Sequence, residues 1–218
     1  MNRKEFLPLT IILLMFLIGI YLYPNLPEKV PIHWNAEGKI NGYGSKLLGL
    51  FLMPMITLIV YIIFMVIPKI EVYKKNIAAF SEQFFLFKLI FVLFFLVLYI
   101  ITIIQSMGFI FNMNYVVIPA CAVFFYIIGY LLKYAKRNFF IGIRTPWTLS
   151  SEKVWNKTHT LGSKLFRILA FVTLTGILFG KYGVWVMIIS LLACALFLVV
   201  YSYILFEKEV KKSNKING

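Results

Sequence analysis

Side chains able to carry acid–base or metal chemistry are few in this sequence and lie far apart. The histidines are His33 and His159, and the cysteines are Cys121 and Cys194. They occur without a Gly-rich phosphate loop, a G-x-S-x-G motif or a His-Glu-x-x-His motif. A single histidine is a poor metal site, and two cysteines do not complete one. We therefore predict no catalytic residue, no metal site and no cofactor, and we interpret both cysteines as small apolar residues in helix contacts.

Most of the specific chemistry lies in two polar segments, of which 24–46 is the first. Pro31 biases Val30 toward extended backbone, and Asn35-Ala36-Glu37-Gly38 has the composition of a turn. Because 39–43 can return as a second short strand, we predict a small ordered hairpin and name this segment the hairpin loop. Its candidate ligand-binding residues are His33, Trp34, Asn35, Tyr43 and Lys46. Alternatively, the tryptophan and the tyrosine are aromatic anchors at the membrane interface.

The second polar segment, 133–164, is the most basic part of the chain, and we name it the basic loop. Thr145-Pro146 ends any helix that enters from the N-terminal side. Ser150 or Ser151 can cap a new helix that carries Glu152 in its first turn. The residues predicted to bind a partner or the inner leaflet are Asn138, Gly142, Arg144, Thr145, Pro146, Trp147, Trp155 and His159.

The new helix is predicted to be amphipathic. One stripe holds Val154, Thr158, Leu161 and Leu165, an adjacent stripe holds Trp155, His159 and Gly162, and Lys153, Lys157 and Lys164 lie outside both. We expect this helix to lie in the inner leaflet, with Trp147 and Trp155 among the headgroups. Arg144 is expected to bind a carboxylate or phosphate. His159 is expected to make a local hydrogen bond rather than to act in catalysis.

The amino-acid composition indicates the environment in which the chain folds. The chain has 218 residues, of which 61% are apolar and only 14% charged, and its mean hydropathy is +0.89. Ordinary soluble domains are about 45–50% apolar and about 25% charged. Such a chain could not cover itself with polar surface, so soluble enzymes, disordered chains and disulfide scaffolds are excluded.

Six apolar runs approach the roughly 20 residues that a membrane-spanning helix needs. They are 6–23, 47–68, 84–104, 115–132, 165–180 and 184–206. The fifth is the weakest because Arg167 lies near its start, but Gly180-Lys181-Tyr182-Gly183 favours a tight turn after it. The first run has no signal-peptide cleavage pattern and is interpreted as a retained span. The predicted fold is an all-α bundle of six transmembrane helices with an ordered outer loop and an amphipathic inner helix.

The net charge of +14 fits this topology. With six spans, 17 basic residues share the side of the two termini and 4 lie on the other side. Lys88 lies inside the third span and is expected to snorkel toward the side with 17. The bias predicts a multi-pass protein of the cell membrane with both termini in the cytoplasm. No direct nucleic-acid partner is needed to explain the charge.

The predicted spans contain little ionisable chemistry. All eight carboxylates fall in loops or tails, whereas ion-coupled transporters usually bury an ionisable group near the bilayer midplane. The two histidines fall on opposite sides of the membrane and cannot share a metal ion. These features disfavour an ion-driven pump and a membrane metalloprotease.

Both loops resemble a known family. Pro31-x-His33-Trp34-Asn35, Gly38 and Gly42-Tyr43-Gly44-Ser45-Lys46 are similar to the short N-terminal domain of the SdpI family of bacterial membrane proteins, with Asn41 where that domain often has Asp. Asn138-x-x-Ile141-Gly142-x-Arg144-Thr145-Pro146-Trp147-Thr148 and Trp155-x-x-Thr158-His159-x-x-Gly162 resemble the C-terminal signature of the family. The resemblance covers nearly the whole chain in the same order.

The resemblance implies an immunity protein of Gram-positive bacteria that protects the cell from a secreted peptide toxin. It also implies a receptor that draws a cytoplasmic autorepressor to the membrane. Residues 1–68 would form a helical hairpin with the hairpin loop, and 69–218 a four-helix region with the basic loop in the cytoplasm. The alternatives are a membrane enzyme or transporter for a lipid-like or peptide substrate, and a structural membrane protein whose loops serve folding alone.

Overall fold

A computed structural model describes the backbone of residues 3–217 and the side chains of residues 3–212. Three terminal residues lie outside that description: Met1 and Asn2, which begin the predicted region 1–68, and Gly218, which ends the predicted region 69–218. The side chain of Lys215, one of the 17 basic residues counted above, also lies outside it. The described elements are α1 (Phe6–Leu22), β1 (Lys29–Trp34), β2 (Ile40–Ser45), α2 (Lys46–Ile70), α3 (Lys74–Ala78), α4 (Ser81–Ser106), α5 (Asn114–Tyr134), α6 (Pro146–Ser150), α7 (Glu152–Thr175) and α8 (Gly183–Asn217). The described chain is mostly helical, as the apolar runs predict.

Five helical segments of the described chain are long and apolar enough to cross a membrane. Four match the first four predicted spans, and the fifth is a continuous stretch of 61 residues, Glu152–Lys212. The predicted number of six spans is therefore not confirmed, because the last two runs belong to one long helical segment.

The fifth segment nevertheless folds back on itself. Between α7 and α8 lies a short 3₁₀ helix, Gly176–Tyr182, in which Gly180 has a φ of +53°. Near the turn, a Cβ added at Gly176 would lie 2.8 Å from the carbonyl oxygen of Gly183. Far from it, the Ser151 hydroxyl donates to the Glu209 carboxylate, and the two oxygens are 2.8 Å apart. The two helices therefore pack antiparallel along much of their length.

The hairpin loop forms the predicted two-stranded antiparallel sheet. Lys29 pairs with Ser45 at one end and Trp34 with Ile40 at the other, with irregular register around His33. The turn closes where the Gly38 N–H donates to the Asn35 carbonyl, with Gly38 at a φ of +76°. This prediction is confirmed, because local turn chemistry and proline placement are enough to set a short hairpin.

Two apolar clusters hold the bundle together behind the loops. One packs Met15, Leu50 and Tyr99 from α1, α2 and α4. The other packs Phe125 of α5 on Leu169 and Ala170 of α7, and Cys121 and Cys194 lie against it as free thiols. The interpretation of both cysteines as packing residues is confirmed.

Lys88 is directed toward Glu5, at the end of the bundle that carries Arg3 and Lys4, as expected, but its side chain does not reach the surface. The side chain is 5% exposed, and its Nζ lies 2.5 Å from Oε1 of Glu5. The Tyr61 hydroxyl donates to the other oxygen of the same carboxylate. Glu5 directly precedes α1 and lies within reach of α4, so Lys88 is neutralised inside the bundle instead of extending to water. This ion pair joins the beginnings of α1 and α4 to α2.

Candidate functional site

The hairpin loop is fixed on the bundle by side-chain amides. The indole N–H of Trp34 donates to Oε1 of Gln105 on α4 over 2.7 Å, and the Gln105 amide donates to the carbonyl of Phe111. An indole N–H whose partner lies inside the protein does not serve as an anchor in the headgroup region. Trp34 therefore has the role of holding the hairpin against α4.

The turn of the hairpin is held by the connection between α4 and α5. The Asn112 and Asn114 side-chain amides donate to the carbonyls of Glu37 and Ala36. A Cβ at Gly38 would lie 2.0 Å from Oδ1 of Asn112, so only glycine fits this contact. Asn35 closes the turn from within by accepting the backbone N–H of Lys39 on its side chain. Asn35 is therefore a turn residue first.

His33 and Tyr43 are the predicted ligand-binding residues of this loop that face outward. Tyr43 is 61% exposed. The Nδ1 atom of His33 lies 2.6 Å from Oδ1 of Asn41, which fixes the ring and leaves Nε2 without a hydrogen bond among the described residues. Lys46, by contrast, is tied to Glu28 at 2.9 Å and lies over the Tyr23 ring.

An open cavity of about 550 Å³ lies beside the hairpin. His33, Trp34 and Asn35 line one side, and α2, α4, α5 and α8 supply the other. Trp185 at the start of α8 also lines this cavity and is 49% exposed. We did not predict this residue as part of a site, although a tryptophan at the end of a span is a usual marker of an interface. The cavity is apolar with a polar rim, which suits an amphipathic ligand.

In the basic loop, Asn138 is a structural brace. It is fully buried, its amide donates to the carbonyls of Lys136 and Ile141, and its Oδ1 accepts the N–H groups of Phe140 and Ile141. One side chain thus satisfies four backbone groups of a loop that has no regular structure.

Gly142, Trp155 and His159 form one packed unit. The rings of Trp155 and His159 stack at 3.9 Å, and the indole N–H donates to the carbonyl of Ala135. Nε2 of His159 accepts the N–H of Ile143 over 3.0 Å, so Nδ1 carries the proton and donates to the Trp155 carbonyl. The imidazole is thereby fixed as one neutral tautomer, and the expected local hydrogen bond is confirmed.

Thr145 and Pro146 begin α6 in a capping box. The Thr145 hydroxyl accepts the N–H of Thr148, the Thr148 hydroxyl accepts the N–H of Thr145, and Pro146 occupies the first helical position. The Thr145 hydroxyl also lies 3.0 Å from that of Ser202 on α8. Trp147 is half-buried and packs on Tyr203 at 5.1 Å. These residues attach the basic loop to α8.

The amphipathic helix of the basic loop exists, but its expected location is wrong. It is the first half of the continuous helix α7, and its two predicted stripes face the interior of the bundle. Trp155 has an exposed fraction of 0% and does not reach the headgroups. The two stripes pack on protein, and the three lysines that lie outside them are exposed.

Arg144 is the exposed member of the predicted basic-loop set, together with Pro146. Its Nη1 donates to the carbonyl of Phe139 over 2.6 Å, so the guanidinium keeps donors for a further partner. A buried residue that we did not predict, Glu71, accepts the N–H groups of Tyr73 and Phe139 and ties this loop to the end of α2. The available signal was a carboxylate at a helix C-terminus, where the dipole disfavours an anion.

A second cavity, of about 270 Å³, lies beneath the basic loop. Gly142 and its neighbours cover it, and the remaining lining residues are phenylalanine, leucine and isoleucine. The lining contains no titratable side chain, and His159 uses both ring nitrogens elsewhere.

The chain is similar to known proteins over both loops. The model of the SdpI/YfhL protein family matches residues 135–203, and that of a domain of unknown function, DUF1648, matches residues 10–58. The "Immunity protein SdpI" of Bacillus subtilis (strain 168) is 30% identical over 207 residues, which are 94% of this chain and 97% of that protein. No solved structure matches.

Proposed function

Because the chain belongs to the SdpI/YfhL protein family, we propose that it is an immunity protein of the bacterial cell membrane. The observation that carries this proposal is the 30% identity to a named immunity protein over almost the full length of both chains. The target would be a secreted peptide toxin. The two matched regions, 10–58 and 135–203, contain the two loops that the fold holds in order.

We propose that the toxin meets the protein at the hairpin loop. His33 and Tyr43 support this proposal, because they are exposed on a strand pair that Gln105 and the α4–α5 connection hold in place. The neighbouring cavity, with Trp185 at its edge, offers apolar surface to a membrane-active peptide. Trp34, Asn35 and Lys46 would act by holding this surface in shape.

The test is survival of a toxin-sensitive strain that expresses the chain. We expect the unchanged chain to raise the toxin concentration needed for killing, and the His33→Ala/Tyr43→Ala variant to lower that protection about tenfold, the effect of losing about 1.4 kcal/mol of binding. Tyr182→Ala is the matched control, because Tyr182 is also exposed but lies in the turn between α7 and α8. Membrane abundance is measured for each variant.

Unchanged killing at verified abundance would contradict the immunity proposal for that toxin. Protection that survives in the double variant would leave immunity in place and remove the hairpin loop as the contact surface.

We also propose that the chain crosses the membrane six times with both termini in the cytoplasm. The charge bias and the antiparallel packing of α7 on α8 support this topology. In a variant lacking Cys121 and Cys194, we expect Tyr43→Cys and Lys181→Cys to react with a membrane-impermeant maleimide in intact cells. Lys153→Cys should react only after lysis. If Lys181→Cys reacts only after lysis, as Lys153→Cys is expected to, or does not react even after lysis, the last segment does not cross the membrane twice.

The second part of the function is a proposal that rests on the family resemblance. The basic loop would face the cytoplasm and receive an autorepressor when toxin is bound, with exposed Arg144 as a contact residue. The regions 1–68 and 69–218 would then act as one unit, since the Glu5–Lys88 and Trp34–Gln105 contacts join them. The immunity proposal does not rest on this second part, and the survival assay tests the immunity proposal alone.

A further inference from the structure

A small basic cleft lies where the beginning of α7 meets the last described turns of α8. It has a volume of about 240 Å³, and four of its lining side chains are lysines: Lys153, Lys157, Lys208 and Lys212. The lysines on each helix are four residues apart, so each pair lies on one face. Two helices therefore direct four ammonium groups around one space.

These charges are not fully neutralised within the described part of the chain. None of the four lysines has a carboxylate within ion-pair distance there. Glu209 also lines the cleft, where its carboxylate accepts the Ser151 hydroxyl and offsets one of the four positive charges, so that an excess of three remains. The N-terminus of α7 adds further positive potential. Bringing four like charges together costs free energy, and a bound anion would offset that cost.

Apolar residues precede the cleft along α8, toward the apolar middle of that helix. The floor of the cleft includes Leu205, and one and two turns earlier on the same face of α8 lie Tyr201 and Phe197. Their rings stack at 6.1 Å, and Phe197 is 53% exposed. A ligand that fits both parts has an anionic head and a long apolar tail.

We propose that this cleft binds the phosphate of an anionic phospholipid, with an acyl chain along Tyr201 and Phe197. The general preference for basic residues on the cytoplasmic side explains lysines at this end of the bundle, but not their convergence on one cleft above an apolar face. An acidic segment of a soluble protein would match the lysines and leave the apolar continuation unused. The proposal is independent of the toxin and of the repressor.

The test is native mass spectrometry of the delipidated full chain with added phosphatidylglycerol, and with phosphatidylcholine for comparison. The Lys153→Gln/Lys157→Gln/Lys208→Gln/Lys212→Gln variant is compared with Lys69→Gln/Lys74→Gln/Lys75→Gln/Lys136→Gln. The second variant removes the same charge from exposed lysines at the same end of the bundle. We expect phosphatidylglycerol to bind the unchanged chain and the control alike, and the cleft variant about tenfold more weakly.

Three outcomes would overturn the proposal. Equal loss of phosphatidylglycerol in both variants would indicate unspecific attraction by net charge. Displacement of the lipid by excess inorganic phosphate would indicate a site for a free anion. Displacement by a glutamate-rich peptide would indicate a docking surface for an acidic protein. If the variant with four substitutions is obtained in low yield, Lys157→Gln/Lys208→Gln replaces it, and this variant is also expected to bind phosphatidylglycerol more weakly than the unchanged chain.

Discussion

Replacing Lys88 by methionine is expected to destabilise the bundle by about 3–5 kcal/mol, the usual cost of removing one partner from a buried ion pair. The Glu5 carboxylate, whose side chain is only 16% exposed, would keep the Tyr61 hydroxyl but lose its compensating charge. Because the pair joins α1, α2 and α4, the loss falls on the packing of three helices. The measurement is the thermal unfolding midpoint in detergent, together with membrane abundance.

Two variants make this result specific to the buried charge. Adding Glu5→Gln to Lys88→Met should recover most of the stability, because a neutral amide still accepts the Tyr61 hydroxyl. Glu82→Gln breaks the exposed pair with Lys4, whose side chains are 48% and 68% exposed, and should cost about 0–1 kcal/mol. If Lys88→Met has the same unfolding midpoint as Glu82→Gln, the Glu5–Lys88 pair does not hold the helices together. The same conclusion follows if the Glu5→Gln/Lys88→Met variant is no more stable than Lys88→Met.

The features that the sequence predicted well are those set by neighbouring residues. Pro31 and the Asn35–Gly38 turn were enough to predict the hairpin. The serine pair Ser150-Ser151 with Glu152 located the beginning of α7 to within one residue, and the structure has Ser151 as the cap. The apolar runs located four helices, because a span needs about 20 apolar residues in a row. In each case the residues that determine the feature lie close together along the chain.

The features that could not be predicted depend on which residues of other helices and loops pack against them. Periodicity identified the stripe with Trp155 and His159, but a stripe facing lipid and one facing α5 have the same composition. Lys88 has the pattern of a snorkelling residue until Glu5, 83 positions away, is known to reach it. Glu71 lies in a loop as predicted, but nothing in the sequence indicates that it contacts Phe139.

The same reasoning explains why most candidates in the basic loop have structural roles. Asn138, Thr145, Trp155 and His159 supply side-chain hydrogen bonds to the backbone of an irregular, buried loop, and Gly142 leaves room for the His159 ring. A signature of this kind identifies the fold of the loop. In the proposed function, the surface for a partner is therefore the exposed part of this loop, Arg144 and its surroundings, and the signature as a whole is not proposed to bind.

Gly142→Ala is expected to be more damaging than the addition of a methyl group at any other position of the basic loop. Gly142 has a φ of +120°, which costs a side-chain-bearing residue about 1–3 kcal/mol. Its Cβ would lie 2.4 Å from Nε2 of His159, and this overpacking adds about 1–3 kcal/mol. Displacing the imidazole also breaks its bond with the Ile143 N–H. We expect a lower unfolding midpoint and less protein in the membrane.

Gly108→Ala separates the two contributions. Gly108 has a φ of +98°, and nothing lies within 4 Å of its added Cβ, so it carries the backbone cost alone. A double-mutant cycle with His159→Ala isolates the clash, since Gly142→Ala should cost less once the imidazole is gone. If Gly142→Ala is no worse than Gly108→Ala and is additive with His159→Ala, the glycine serves only the turn. A coupling of about 1 kcal/mol or more would mean that Gly142 is required because His159 occupies the space beside it.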